Sequence, residues 1–179
     1  MVLDALLEAI LEVVLQRANA APPPQQQLVQ PPAWARREPI TKECVAKAIR
    51  EQGVSGYALA GIMRTEDGRV GGLVRSPDGS YDLGPMGINT VHLKELSAQL
   101  GKSPSEMAYL LIYDGCFNVA VAAWHLRNRT NEAGGDFWQG VGRYHSRTQS
   151  KAAMYIPRVN THLRDLLQTA QRASTESRG

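Results

Sequence analysis

Apolar positions near the start of the chain recur every three to four residues: Leu3, Leu6, Leu7, Ile10, Leu11, Val14 and Leu15 form one stripe, with Asp4, Glu8 and Glu12 outside it. That period predicts an amphipathic helix over 1–18. The stripe ends in Ala18-Asn19-Ala20, which has the small-x-small form of a signal-peptidase site, but no charged region precedes it and acids interrupt the apolar stretch. A surface or partner-binding helix and a degenerate export signal both remain open on these residues. Residues 19–40 then break the pattern with APPPQQQLVQPPAWARREP, where prolines remove backbone donors and glutamines offer little to bury. This stretch reads as a linker, a tether that can be removed without harm to the part that folds.

Helical spacing returns at Thr41–Gln52 through Cys44, Val45, Ala48 and Ile49, with Gly53 as the stop. A second helix opens near Ser55 and carries Leu59, Ile62 and Met63 on one face, which one further turn extends to Glu66 before a stop near Gly68. Between Gly68 and Asn89 glycines are dense, helical periodicity is lost, and Pro77-Asp78-Gly79 signals a tight turn, so a small β-hairpin is predicted there. Helices resume over Thr90–Leu100 and again after Ser103, where Ser-Pro-Ser-Glu forms a capping box with proline at the first helical position. Further helices are predicted from Cys116 through Leu126, over Phe137–Tyr144, and from Thr148 onward. Pro157 is expected to kink or split the last of these. The foldable region is thus 41–170, a mainly α domain with one hairpin beside a cleft, followed by a frayed tail over 171–179.

Composition narrows the function classes without choosing among them. The 179 residues are 43% hydrophobic, enough for the core of one ordinary domain, and no segment is long and apolar enough to span a bilayer. A net charge of +3 favours anionic partners, but the basic residues are scattered and not interleaved with aromatics, so no nucleic-acid partner is predicted. Cys44 and Cys116 are the only cysteines, which excludes a four-cysteine zinc site and leaves two buried thiols or one disulfide. The four histidines show no H-x-x-x-H or H-E-x-x-H spacing, so neither a metal nor another cofactor is predicted. Glu66 is the candidate acid, because a carboxyl on an otherwise apolar helical face is desolvated and holds its proton towards neutral pH. A glutamate fraying into water at the helix end is the competing reading.

Five segments in order, IMRTEDG, SYDLGPMGIN, DGCFNVAVAAWHLR, VGRYHS and YIPRV, resemble the motif set of the lytic transglycosylases. The resemblance covers roughly Lys42 to Val159. It is nearest to the specialised branch attached to conjugation and type IV secretion systems, the TrbN-like proteins. It implies a lysozyme-like (goose-type/SLT) helical fold and cleavage of the β-1,4 bond between N-acetylmuramic acid and N-acetylglucosamine in peptidoglycan, leaving an anhydro-muramyl end. Glu66 stands at the family's sole catalytic acid, with Asp67 where a serine is usual. Met86 and Asn89 are implied to line the sugar cleft, and Gly87 replaces the usual glutamine. Outside the resemblance they would read as a core methionine and a capping asparagine. Tyr144 and His145 match the third motif, with histidine in place of asparagine. Tyr155 matches the late tyrosine that points at the catalytic carboxyl. Asp82 is the rival second acid: across the cleft from Glu66 it would permit hydrolysis as in lysozyme. The resemblance also pairs Cys44 with Cys116 and so implies an oxidising compartment, the periplasm. Glycan strands, and components of a mating or secretion channel, are the implied partners. A weakly active or non-enzymatic wall-binding assembly factor is the remaining alternative.

Overall fold

A computed structural model describes residues 3–28 and 30–176 and shows a mainly α domain. Its elements are α1 (Ala5–Asn19), α2 (Lys42–Gln52), α3 (Gly56–Glu66), strands β1 (Leu73–Arg75), β2 (Tyr81–Leu83) and β3 (Ile88–Asn89), then α4 (Leu93–Leu100), α5 (Pro104–Tyr113), α6 (Gly115–Glu132), α7 (Phe137–His145) and α8 (Gln149–Glu176). Residues 1, 2 and 177–179, which the predicted first helix and tail include, lie outside the described residues.

The helix boundaries follow local chemistry. Thr41, Ser55 and Asp114 cap α2, α3 and α6 by accepting from backbone N–H groups of the first turn, and Ser103 with Glu106 closes the capping box on α5. α6 runs through the interior, with Asn118, Val119, Ala122 and Ala123 fully buried, and packs against α2, α5 and α7. α8 packs across α1, α3 and α7. Pro157 neither ends nor splits α8, which stays continuous from Gln149 to Glu176. Ala153, whose carbonyl loses its helical partner to the proline, is exposed, so water can satisfy it, while Tyr155, Val159, Leu166 and Ala170 hold the helix to the core. The same packing carries the helix past Ala170 to Glu176, where a frayed tail had been expected.

The region between Gly68 and Asn89 is a three-stranded antiparallel sheet in the order β1-β2-β3, one strand more than the predicted hairpin. Val74 pairs with Asp82 and Asp82 with Asn89, so Asp82 and Asn89 share one cross-strand row. Leu73 and Leu83 share the next row and point to the other face of the sheet, towards α5.

The largest departure from expectation lies before α2. α1 buries Leu7, Ile10, Leu11, Val14, Leu15 and Ala18 in the common core, and Gly56 lets α3 approach it so closely that a Cβ there would lie 2.5 Å from Leu7. Residues 20–40 are no free tether. Arg37 donates from Nε to the Val70 carbonyl at 2.7 Å and from Nη2 to the Asn19 and Ala20 carbonyls at 2.6 and 2.9 Å. Asn19 exchanges two hydrogen bonds with the Ile40 backbone, at 2.9 and 2.8 Å, and Glu38 forms a parallel bridge with Asp114. Among its described residues the prolines do keep this stretch out of regular structure apart from one short 3-10 turn, Pro24–Gln26, but the chain is tied down by bonds to other segments. Cys44 of α2 and Cys116 of α6 are joined by a disulfide, which resolves the two readings left open for these residues. Its loop of 72 residues corresponds to roughly 4 kcal/mol of loop-closure entropy removed from the unfolded chain.

Candidate active site

α3 brings Glu66 to the wall of a groove of about 570 Å³ that is also lined by Asp82, Asn89, Tyr144 and His145. Five of the seven residues singled out for this site in the sequence therefore share one concavity. Tyr155 lies behind the wall, 1% exposed, and donates its hydroxyl to Glu66 Oε1 at 2.5 Å. Met86, like Tyr155, does not line the groove, and its side chain is fully buried, so the reading of Met86 as a sugar contact is corrected to a core methionine. Its backbone still serves the site, since the Met86 carbonyl accepts from the Tyr144 hydroxyl at 2.8 Å and its N–H donates to Asn118 Oδ1 at 3.0 Å.

The carboxyl of Glu66 is pushed up to about 7, chiefly by desolvation, with the negative charge of Asp82 acting in the same direction and the Tyr155 hydrogen bond and Arg158 opposing it. Tyr155 is itself held far above its ordinary range, first by burial, and so remains a donor near neutral pH. With Tyr155 on Oε1, Glu66 Oε2 faces Gly87. A Cβ at position 87 would come within 2.6 Å of that oxygen, and Gly87 adopts φ +61°, a left-handed conformation that side chains rarely take. Glycine at position 87 thus lets the loop pass directly beneath the acid.

Asp82 presents both oxygens as acceptors, to Ser76 Oγ at 2.9 Å and Asn89 Nδ2 at 2.9 Å. Asn89 also donates to Ser80 Oγ at 2.8 Å and accepts from the Val91 N–H at 3.0 Å, so it fixes the second acid and caps the turn that follows. His145 stacks on Tyr155 with ring centroids 4.7 Å apart and an interplanar angle of 3°, and burial lowers its pKa, leaving a neutral ring over the tyrosine that clamps Glu66. Asp67, the neighbour of Glu66, takes φ 52° and turns away from the groove to bind Arg17, with Arg64 and Arg69 nearby. The Arg17 guanidinium holds its carboxyl below the usual range.

Two supporting parts escaped the sequence reading. Asn118, fully buried on α6, donates to the Leu83 and Leu111 carbonyls at 2.9 and 2.8 Å while accepting from Met86, and so anchors the Gly84–Gly87 loop. A single asparagine in a helical pattern carries no sign of such a role. His125 lines the groove with His92, bonds the Tyr144 carbonyl at 3.3 Å and is pushed down to about 3 by burial, so it stays neutral near neutral pH. No group of three or more metal-ligating side chains occurs among the described residues.

The geometry defines a class: a mainly helical, disulfide-linked domain whose groove is lined by a desolvated glutamic acid and a second, hydrogen-bonded carboxylate. Three relatives are similar to the chain in sequence, the invasion protein IagB of Salmonella typhimurium strain SL1344, of Salmonella typhimurium strain LT2 and of Salmonella typhi, each 31% identical over 120 residues, 66% of this chain and 67% of the relative. The chain belongs to the IagB family. No family model matches it.

Proposed function

We propose that this protein is a peptidoglycan lytic transglycosylase that opens the cell wall locally for a conjugation or type IV secretion channel. The observation that carries the reading is Glu66: a carboxyl in a groove, clamped by Tyr155 and desolvated so that it titrates at about 7. Such a group can give a proton and take one back in the same turnover. Glu66 protonates the glycosidic oxygen as the bond to C1 of N-acetylmuramic acid breaks, and the substrate's N-acetyl group supports the positive charge at C1. Glu66, now a carboxylate, removes the proton from the primary hydroxyl of the same sugar as that oxygen bonds to C1. The acid is regenerated and an anhydro-muramyl end results. The nucleophile is already attached to the substrate, so the step gains from proximity and uses no cofactor.

A periplasmic setting agrees with the Cys44–Cys116 disulfide, and no described helix is long and apolar enough to cross a membrane. The Salmonella relatives carry invasion in their name; the link of this chain to a transfer channel rests on its resemblance to the TrbN-like branch. One observation favours a second reading, hydrolysis: Asp82 lines the same groove and its charge acts on Glu66, as a second carboxylate that activates water would. Mass spectrometry of products from purified peptidoglycan separates the two. Anhydro-muramyl ends are expected from the parent; reducing ends that disappear in Asp82→Asn would establish the muramidase instead, and no cleavage at all would leave a wall-binding factor.

A further inference from the structure

The proposed reaction leaves open which way a glycan strand lies across Glu66, and the charges of the groove bear on that. Its ionisable lining comprises the carboxyl groups of Glu66, Asp78 and Asp82, the Tyr144 phenol, three histidines and Lys151. His92, His125 and His145 are all lowered by burial, so Lys151 is the sole standing cation among the described lining residues. The acids are not evenly spread: Asp82 lies on β2 and Asp78 in the turn before it, whereas Lys151 lies on α8, near enough for its charge to act on Asp78. Lys151, Tyr155 and Arg158 follow at helical spacing on α8, and Tyr155 pins that stripe to Glu66. Lys151 therefore lies one helical turn from the acid's clamp, about 6 Å along the helix, close to one sugar unit. Lys151 is exposed, and although its charge acts on Asp78, no ion pair within 4.0 Å joins it to a carboxylate among the described residues.

We propose that Lys151 is the docking group for a carboxylate of the muramyl unit, and that it orients the strand with that substituent towards α8 and away from Asp82. The inference rests on the peptidoglycan reading. N-acetylglucosamine carries no charge, so the only anionic groups on the strand are the lactyl carboxylate, free where the peptide has been removed, and the carboxylates of the stem peptide. Either would be repelled by Asp82 and attracted by Lys151.

The test compares, in the Glu66→Gln background so that nothing is turned over, binding of peptide-free glycan strands with the same strands after their lactyl carboxyls are converted to amides. Peptide-bearing strands form a third arm. The carboxylate-bearing strands are expected to bind about three- to tenfold tighter, the preference shrinking with added salt. Lys151→Gln should remove the preference and Lys151→Glu should reverse it, with unchanged melting temperatures because the side chain is exposed. A preference lost only with peptide-bearing strands identifies the stem peptide as the source of the carboxylate. An equal preference in all three proteins overturns the role of Lys151 and leaves the proposed reaction standing; failure of the Glu66→Gln protein to bind any strand overturns both.

Discussion

On one side of α3 the fold builds a groove, and on the other it builds a seam with α1; the adjacent acids Glu66 and Asp67 show how differently the two are made. At the groove, Glu66 is stripped of water and given one neutral donor, so its proton is retained to about 7. At the seam, Asp67 lies among Arg17, Arg64 and Arg69 and its carboxyl is held low. The left-handed backbone at Asp67 makes the separation possible, because it ends the helix and turns consecutive side chains to opposite sides. The seam has apolar burial beneath its ion pairs, and the groove keeps a group that would be more stable neutral. Stability and chemistry are thus divided between the two faces of one helix.

Removing the seam should have the largest effect. A chain lacking residues 1–39 uncovers the core beneath Leu7, Ile10, Leu11, Val14 and Leu15, a loss on the order of 10 kcal/mol, similar to the whole stability of an ordinary domain. Circular dichroism should show it unfolded or without a cooperative melt, and a native melt would restore the tether reading.

Glu66→Gln should cut wall cleavage by about a thousandfold while stabilising the fold at alkaline pH. The folded chain holds a proton that the unfolded chain has lost between the ordinary value of 4.5 and about 7, so stability falls as pH rises through that window. The substitution should therefore recover about 3 kcal/mol above pH 7 and nothing below pH 4.5, as read by denaturant titrations at the two extremes. Equal stability of the two proteins at both extremes would mean that the acid is solvated.

Tyr155→Phe removes the one donor on Glu66 and the bond that lowers its pKa. Activity should drop about tenfold, and the alkaline limb of the pH profile should move up rather than down. Asp67→Asn should do least. Its bond to Arg17 joins side chains 49% and 40% exposed, so the cost is under about 1 kcal/mol, with wall cleavage unchanged.

Much of this frame was legible in the sequence because helix ends are local. Thr41, Ser55, Gly53 and the Ser103 capping box act within one turn, and the structure places the boundaries there. The apolar face leading to Glu66 was legible for the same reason. What periodicity could not supply was long-range: that α1 covers the core, that Arg37 ties residues 20–40 to Val70, that Ile88 and Asn89 add a third strand, and that Pro157 sits on an exposed side where a lost hydrogen bond costs little. Tyr144, His145, Tyr155 and Asn89 were found through ordered motifs, and the same motifs misjudged Met86 because they do not separate a backbone contact from a side-chain contact. Asn118 and Lys151 had no signal of their own: one acts through a loop far away in sequence, and the role proposed for the other depends on its being the lone cation among the groove's described lining residues.

The central claim is the proton on Glu66, and it is measured most directly by NMR titration of the protein labelled with carbon-13 at glutamate carboxyls, the Glu66 signal being assigned by its loss in Glu66→Gln. A midpoint at about 7 is the result predicted here. A midpoint near the ordinary value of 4.5 would show a carboxylate already ionised at neutral pH, and would contradict the account.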